Sequence, residues 1–531
     1  MSTAGGSRRR WILLGASLAL LVVVVVVAVN FGRPPASQAP SAASGSATPS
    51  AQLASPSPPV AASISPSRSP SASPSGLPAI GLDSRISGAS PFASCPSTGQ
   101  FKNYPNSEVE PYVAVNPRDP ANIVAVWQQD RWADGAARGI VTAASHDGGR
   151  SWRRAWAAFS TCSGATAGLS SLPRASDPWV AFGGNGVAYQ TALAVDNQRD
   201  RSAVLVSRST DGGDTWRNPV AVIQNVGTSF NDKDSIATDP QNPDAVYVVW
   251  DRTTRSGEAG ASGAQPAAGQ VMLAQSTDAG ITWAAARTIA QVAGVPVGNV
   301  LVVLPGGTLL DVFELVVTDA KGQRQLTESL IRSDDRGATW SAPQTIARVV
   351  GHDLTNPATG NPIRVGFALP SVAVDPNDER VAVVWSDARF SRAGRASVNI
   401  SLSTNGGRTW TSPAKVPAGT VDRIAFTPSV AIDSDGSLTV SYYVLQPASG
   451  GGLPTDRFAA FSLDGAKWQE ARLTAKSFDL RLAPNSFGLF LGDYTGLATA
   501  DGLFVAVFPV TNATRGDPTT IVVRTGRDSL T

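Results

Sequence analysis

Polarity divides the first part of the chain sharply. Arg8, Arg9 and Arg10 precede a stretch from Trp11 to Gly32 that carries no charge. At about 1.5 Å per residue, a helix of that length crosses the roughly 30 Å of a bilayer's hydrocarbon. Positive charge stays on the cytoplasmic side, so residues 1–32 are expected to be a basic stub and a single-pass signal-anchor, with everything beyond them outside the cell. A cleaved signal peptide is the alternative, and it would leave the same body secreted. Residues 33–84 are rich in Pro, Ser and Ala with few large apolar side chains. Such a segment cannot bury enough surface to offset the entropy of ordering, so a disordered tether is expected, extended where proline favours polyproline II.

From 85 to 531 the pattern becomes short Val-rich runs joined by turn residues. PYVAVNPRDPANIVAVW from Pro111, PWVAFGGNGVAYQTAL from Pro178, SIATDPQNPDAVYVVW from Ser235 and PSVAVDPNDERVAVVW from Pro370 each read as two strands and a reversal. NVLVVLPGGTLLDVF from Asn299, PSVAIDSDGSLTVSYYV from Pro428 and YTGLATADGLFVAVF from Tyr494 repeat it. Apolar runs without alternation predict strands buried on both faces. No segment of this body reads as a long amphipathic helix, so the fold class is all-β.

A second phrase follows most of these pairs. SHDGGRSW from Ser145, STDGGDTW from Ser209, STDAGITW from Ser276, SDDRGATW from Ser333 and STNGGRTW from Ser403 recur at intervals of roughly 57 to 70 residues, and SLDGAKW from Ser462 is a shortened copy. The acid or amide at its third position, Asp147, Asp211, Asp278, Asp335, Asn405 and Asp464, can hydrogen-bond the amides of its own turn, while glycine supplies positive φ. The closing Trp is an apolar anchor between sheets. These residues are expected to be structural.

The phrase matches S-x-D-x-G-x-T-W, and in this the chain resembles the sialidase-like superfamily, whose Asp boxes decorate a β-propeller of four-stranded blades. The resemblance covers about residues 105 to 527. Seven strand pairs and six boxes favour seven blades, the last completed by a strand from 85–108; six blades are the alternative. In such a ring the boxes lie away from the central depression, and the chemistry belongs to the starts of the inner strands and the loops after the second strands.

The 43 Lys and Arg nearly cancel the 41 Asp and Glu, so no broad field recruits nucleic acid. Any charge recognition is local. Glu110, Asp177, Asp234 and the pair Asp493–Tyr494 begin inner strands. Asp130–Arg131, Asp251–Arg252 and Asp387 with Arg389 follow the Trp of second strands, and Arg174 and Lys233 add charge at equivalent entrances. Guanidinium forks suit a carboxylate, although interblade ion pairing is the alternative use of the same residues. The resemblance implies a tyrosine nucleophile at Tyr494 with Glu314 as its partner and Asp177 or Asp232 as proton donor; Arg131, Arg252 and Arg389 are placed on a substrate carboxylate by their repeat position alone. Substrate binding extends to Arg174, Asp130, Asp387, Glu110 and Asp493. The family's Phe-Arg-Ile-Pro motif is absent.

Two functions remain open: exo-hydrolysis of terminal acidic sugars, and non-catalytic binding of a glycan, peptide or wall polymer. Cys95 and Cys162, exported and alone in the chain, are expected to form a disulfide or remain two thiols. With His146 and His352 the only histidines, a His-based zinc site or a Ser-His-Asp triad is excluded. No cofactor is expected; Ca²⁺ is the one cation the aspartate-rich loops admit, without an EF-hand phrase to indicate it. A monomer in contact with a glycan or surface polymer, and with the membrane through its anchor, is expected.

Overall fold

The computed structural model describes residues 79–527, apart from 97–100, 167–171, 197–199, 256–265, 320, 352–353, 367, 392, 418–422, 447–450 and 515. The expected anchor, most of the tether and His352 therefore lie outside the described residues. Among the described residues no helix is long and apolar enough to cross a membrane. Their helical elements are two single 3-10 turns, Thr161–Ser163 and Leu480–Leu482.

Everything else of size is strand. The described residues form seven four-stranded antiparallel meanders, the first two joined by one bridge between Ala137 and Ala175. Their first strands are Glu108–Asn116, Arg174–Phe182, Ser229–Thr238, Val295–Val303, Ser371–Val374, Ile424–Ile432 and Gly496–Ala500. Each neighbours the next, and Gly496–Ala500 neighbours Glu108–Asn116, so the inner strands run in a closed, propeller-like cycle. The Val-rich second strands fill the spaces between sheets, where Trp127, Trp250 and Trp385 are completely buried.

The recurring box makes the turn between third and fourth strands. In the second copy, Ser209 Oγ accepts the Gly213 N–H at 2.9 Å and Asp211 Oδ1 accepts the Thr215 N–H at 3.0 Å. Hydrogen bonds from Ser151, Thr282 and Thr339 hold the carboxyls of Asp147, Asp278 and Asp335 down at about 2. Gly213 has φ 99°, and a Cβ there would lie 2.5 Å from Val124 of the preceding sheet. The box tip thus packs on its neighbour as well as turning its own hairpin. Gly149 does the same against Thr525 of the last sheet, 3.1 Å from where a Cβ would stand, which joins the two ends of the cycle.

The last sheet uses both ends of the described residues, since Ala79–Arg85 pairs antiparallel with Thr519–Arg527. This corrects two boundaries. The completing strand was expected within 85–108 and the tether up to 84, but the paired strand begins at Ala79. After Arg85 the chain leaves the sheet toward Cys95, whose disulfide to Cys162 ties it to the connection between the first and second sheets. Pairing this strand also covers an otherwise open sheet edge.

Candidate functional site

Because strands alternate in direction, each first strand starts at the end of its sheet opposite the box. At that end five of the seven share a backbone defect. Pairing register breaks between Val109 and Tyr112, Ser176 and Trp179, Asp232 and Ser235, Val297 and Val300, and Phe426 and Ser429. The residue inside each break is left-handed: Glu110 at φ 51°, Asp177 at 49°, Lys233 at 52°, Gly298 at 71° and Thr427 at 46°. Such bulges re-aim a side chain, and for a non-glycine residue the conformation costs about 1–2 kcal/mol. Holding a Glu, an Asp and a Lys this way at the same place in three successive sheets brings their side chains together.

Lys233 is the hub. Its Nζ lies 2.6 Å from Asp493 Oδ2, 3.3 Å from Asp177 Oδ1 and 3.4 Å from Glu110 Oε1. Arg364 clamps both oxygens of Asp493, Nε to Oδ1 at 2.9 Å and Nη2 to Oδ2 at 2.5 Å. Arg131 Nη1 lies 3.4 Å from Glu110 Oε2 and donates to Gln128 Oε1 at 2.5 Å, while Gln128 Nε2 donates to Glu110. Both guanidiniums stack on the Phe490 ring, at 4.6 and 4.4 Å. Lys233 and Arg364 keep 11% and 20% of their side chains exposed, so the cluster is reachable from solvent.

These surroundings drive the carboxyls apart. Burial works against the Asp493 charge, but Arg364 and Lys233 outweigh it and hold this carboxyl far below the usual range. Asp232 goes the other way: burial and the neighbouring Asp177 push it up to about 7. Asp234 and Asp251 are also pushed well up, by burial and then by Asp177 and Asp232 respectively. Asp232 is the partly exposed member of this row, while Asp234 and Asp251 are buried. Near neutral pH one side of the cluster is therefore fixed as carboxylate and the other holds protons, the division of labour that acid–base chemistry needs.

Aromatic rings lie beside the charges. Tyr112 and Trp179 stack with centroids 3.6 Å apart, and Tyr494 sits 5.2 Å from Trp179. Lys233 Nζ is 5.8 Å from the Tyr494 ring. The Tyr494 hydroxyl donates to the Pro178 carbonyl at 3.1 Å. Burial, then Glu110, Asp177, Asp234 and Asp493, push its proton affinity well up, so it is a neutral phenol.

Of the expected site residues, the structure gathers Glu110, Arg131, Asp177, Asp232, Asp493 and Tyr494, and Lys233 with them. The others go elsewhere. Relative to the buried Trp, Asp130–Arg131 sit three and four residues on, Asp251–Arg252 one and two, and Asp387 and Arg389 two and four. Arg131 is the last residue of its strand, Arg252 lies inside a strand that runs on to Arg255, and Arg389 lies beyond a strand that ends at Asp387, so the three leave their sheets at different places. Arg252 donates to Ser229 Oγ at 3.1 Å. Arg389 folds back on Asp387 at 2.6 Å and over the Trp385 ring. Arg174 is held by Asp134 at 2.8 Å and stacks on Trp132. Asp130 accepts from Ser90 Oγ at 2.6 Å and the Asn106 N–H at 2.8 Å, anchoring the N-terminal segment. Glu314 is fully buried opposite Glu328, accepting the Ala368 N–H at 2.9 Å, and is not among the groups around Tyr494.

Sequence reasoning missed Arg364, Gln128 and Phe490. Arg364 ends a small hairpin, Leu354–Thr355 with Pro362–Arg364, that pairs in parallel with Leu489–Phe490. Neither segment belongs to the repeat. Their signal was the unusual length of the connections before Pro370 and Tyr494. Among the described residues no group of three His, Cys, Asp or Glu could hold a metal ion.

No family model matches the chain. A xyloglucanase from a Paenibacillus species is 30% identical over 220 residues, which is 40% of this chain and 18% of that enzyme, so the chain spans less than a fifth of its relative's length. Among solved structures, a Hadza microbial sialidase is similar over 76% of this chain and 73% of its own, at 17% identity and a TM-score of 0.42. An α-L-arabinofuranosidase of Fusarium graminearum is similar over 81% of this chain and 98% of its own, at 13% identity and a TM-score of 0.38.

Proposed function

We propose that this chain is a seven-bladed, carbohydrate-active propeller working as a glycoside hydrolase at the axial cluster, and that an N-terminal anchor holds it outside the cell. One observation carries the reading: Lys233 ties Asp493, Asp177 and Glu110 together while the adjacent Asp232 keeps its proton up to about 7. The name of the xyloglucanase relative agrees with a carbohydrate substrate.

In this reaction Asp232 gives its proton to the glycosidic oxygen as the bond from that oxygen to the anomeric carbon breaks. In the narrower form, Tyr494 Oη attacks that carbon while its own proton passes to a neighbouring carboxylate. Water then attacks the glycosyl-tyrosine and gives a proton to Asp232, while the neighbouring carboxyl returns its proton to the departing Tyr494 Oη. If the sugar is a sialoside, its carboxylate must also find a guanidinium, and Arg364 would have to exchange Asp493 for it. Turnover of fluorogenic glycosides, a sialoside among them, by the full chain tests the reading, with Asp232→Asn as the control. Equal turnover by that variant would remove the assigned acid.

One observation favours a second reading, a propeller that binds glycan without cleaving it. The Tyr494 hydroxyl is committed to a backbone carbonyl rather than to a carboxylate that could take its proton. Retention of the chain on a glycan array, with no turnover of the retained sugars, would favour this alternative.

A further inference from the structure

Resting on the reading that the axial cluster is the sugar site, we infer that the sugar taken there is uncharged, because the cations that reach the axis are already matched by carboxylates of this chain. Arg364 presents a two-pronged fork, the geometry that recognises a carboxylate, and Asp493 fills it at 2.9 and 2.5 Å. Lys233 directs its ammonium at three acids at once, Asp493, Asp177 and Glu110. Arg131 is taken by Glu110, by Gln128 Oε1 at 2.5 Å and by Ser486 Oγ at 3.3 Å. Arg174 and Arg389 are closed on Asp134 and Asp387 in their own loops.

Arg457 is different, since its nitrogens bond Ser441 Oγ at 2.8 Å, the Thr427 carbonyl at 3.0 Å and Thr495 Oγ1 at 2.6 Å. It is completely buried beneath the inner strands and meets no ligand without the sheets parting.

Beyond these matched pairs the cluster holds Asp232, Asp234 and Asp251, so any further charge it acquires is negative. An anionic sugar would have to draw Arg364 or Lys233 away from Asp493, leaving a carboxylate only 3% exposed with one of its two cations gone. A neutral sugar asks for nothing of the kind. Its hydroxyls can accept a hydrogen bond from protonated Asp232, and its C–H face can lie on the partly exposed rings of Tyr494 and Trp179.

The test uses the full chain in detergent against matched methylumbelliferyl glycosides: arabinofuranoside, xyloside, glucoside and galactoside on one side, sialoside, glucuronide and galacturonide on the other, with array binding of the same sugars. Activity or retention should favour neutral sugars by at least about a hundredfold, since breaking a buried ion pair is the obstacle to the others. Asp493→Asn, which releases Arg364, should raise the response to the acidic sugars at least about tenfold relative to the neutral ones. A wild-type chain that handles the sialoside or a uronide as well as the neutral sugars overturns this inference and leaves the hydrolase reading standing. Neutral sugars retained without turnover sink the hydrolase reading and support the inference. No response to any of them overturns both. Because the wild-type comparison decides the matter, a variant that fails to fold does not rescue the inference.

Discussion

Lys233 Nζ and Asp493 Oδ2 stand 2.6 Å apart although 260 positions separate them in the chain. Their pairing joins the third sheet to the strand entry of the last. It also fixes the charge of a carboxyl that Arg364 holds from its other side.

Removing the ammonium should therefore cost stability. Lys233→Met is expected to lose about 3–5 kcal/mol at pH 7, as three carboxylates lose their common counter-ion. Asp493 has a depressed native pKa, so its contribution is present above the unfolded carboxylate range near 4 and fades as pH falls through it. The deficit of the variant, followed by urea unfolding, should shrink below about pH 4. A deficit independent of pH would contradict this assignment.

Wild-type stability has a second pH dependence with the opposite sign. Burial pushes Asp311 up to about 8, Glu108 to about 8 and Glu314 to about 7. Acids with raised native values contribute fully below about pH 4 and lose that contribution as pH rises toward 7–8. Asp311 Oδ2 accepts from Asn299 at 2.6 Å, and its other oxygen has no hydrogen-bond partner. Asp311→Asn keeps the acceptor and removes the charge, so it should flatten the decline of Tm between pH 5 and 8 and gain on the order of 1–3 kcal/mol at pH 8.

Activity should divide between the two candidate groups. Asp232→Asn is expected to lower kcat at least about a hundredfold and to abolish the alkaline limb of the pH profile near 7. Tyr494→Phe lowers kcat by a comparable or larger factor if the phenol attacks the sugar, measured on the best fluorogenic substrate. Unchanged kcat would remove Tyr494 as nucleophile and leave the carboxyl row as the reacting group.

Arg457 braces the left-handed Thr427 by donating to its carbonyl at 3.0 Å while reaching Thr495 of the last sheet. Burial lowers its proton affinity to about 10, still well above neutral, so the charge persists. Arg457→Met should cost about 2–4 kcal/mol by urea unfolding, because three oxygens in the interior lose their donor. A loss below about 0.5 kcal/mol would show that the brace is dispensable.

The fold was written locally. Asp211 and Gly213 lie two residues apart, and their turn follows from what an Asp oxygen and a positive-φ glycine do, whatever the rest of the chain is doing. Six such turns and seven Val-rich pairs therefore announced an all-β repeat, and the Asp–Pro and Glu–Pro starts of inner strands marked Asp177 and Glu110. The site was only half written. Arg252 and Arg389 looked equivalent to Arg131 until their strands proved to end at different places and their side chains to bond Ser229 and Asp387, and Arg364, which does join the cluster, comes from a hairpin outside the repeat. A turn depends on neighbours along the chain, whereas the match of Lys233 with Asp493, or of Arg364 with Phe490, depends on how sheets close around an axis. Local hydrogen bonding was thus legible in the residues themselves; the convergence of charges, and the burial that sets their protonation, existed only once the strands had packed.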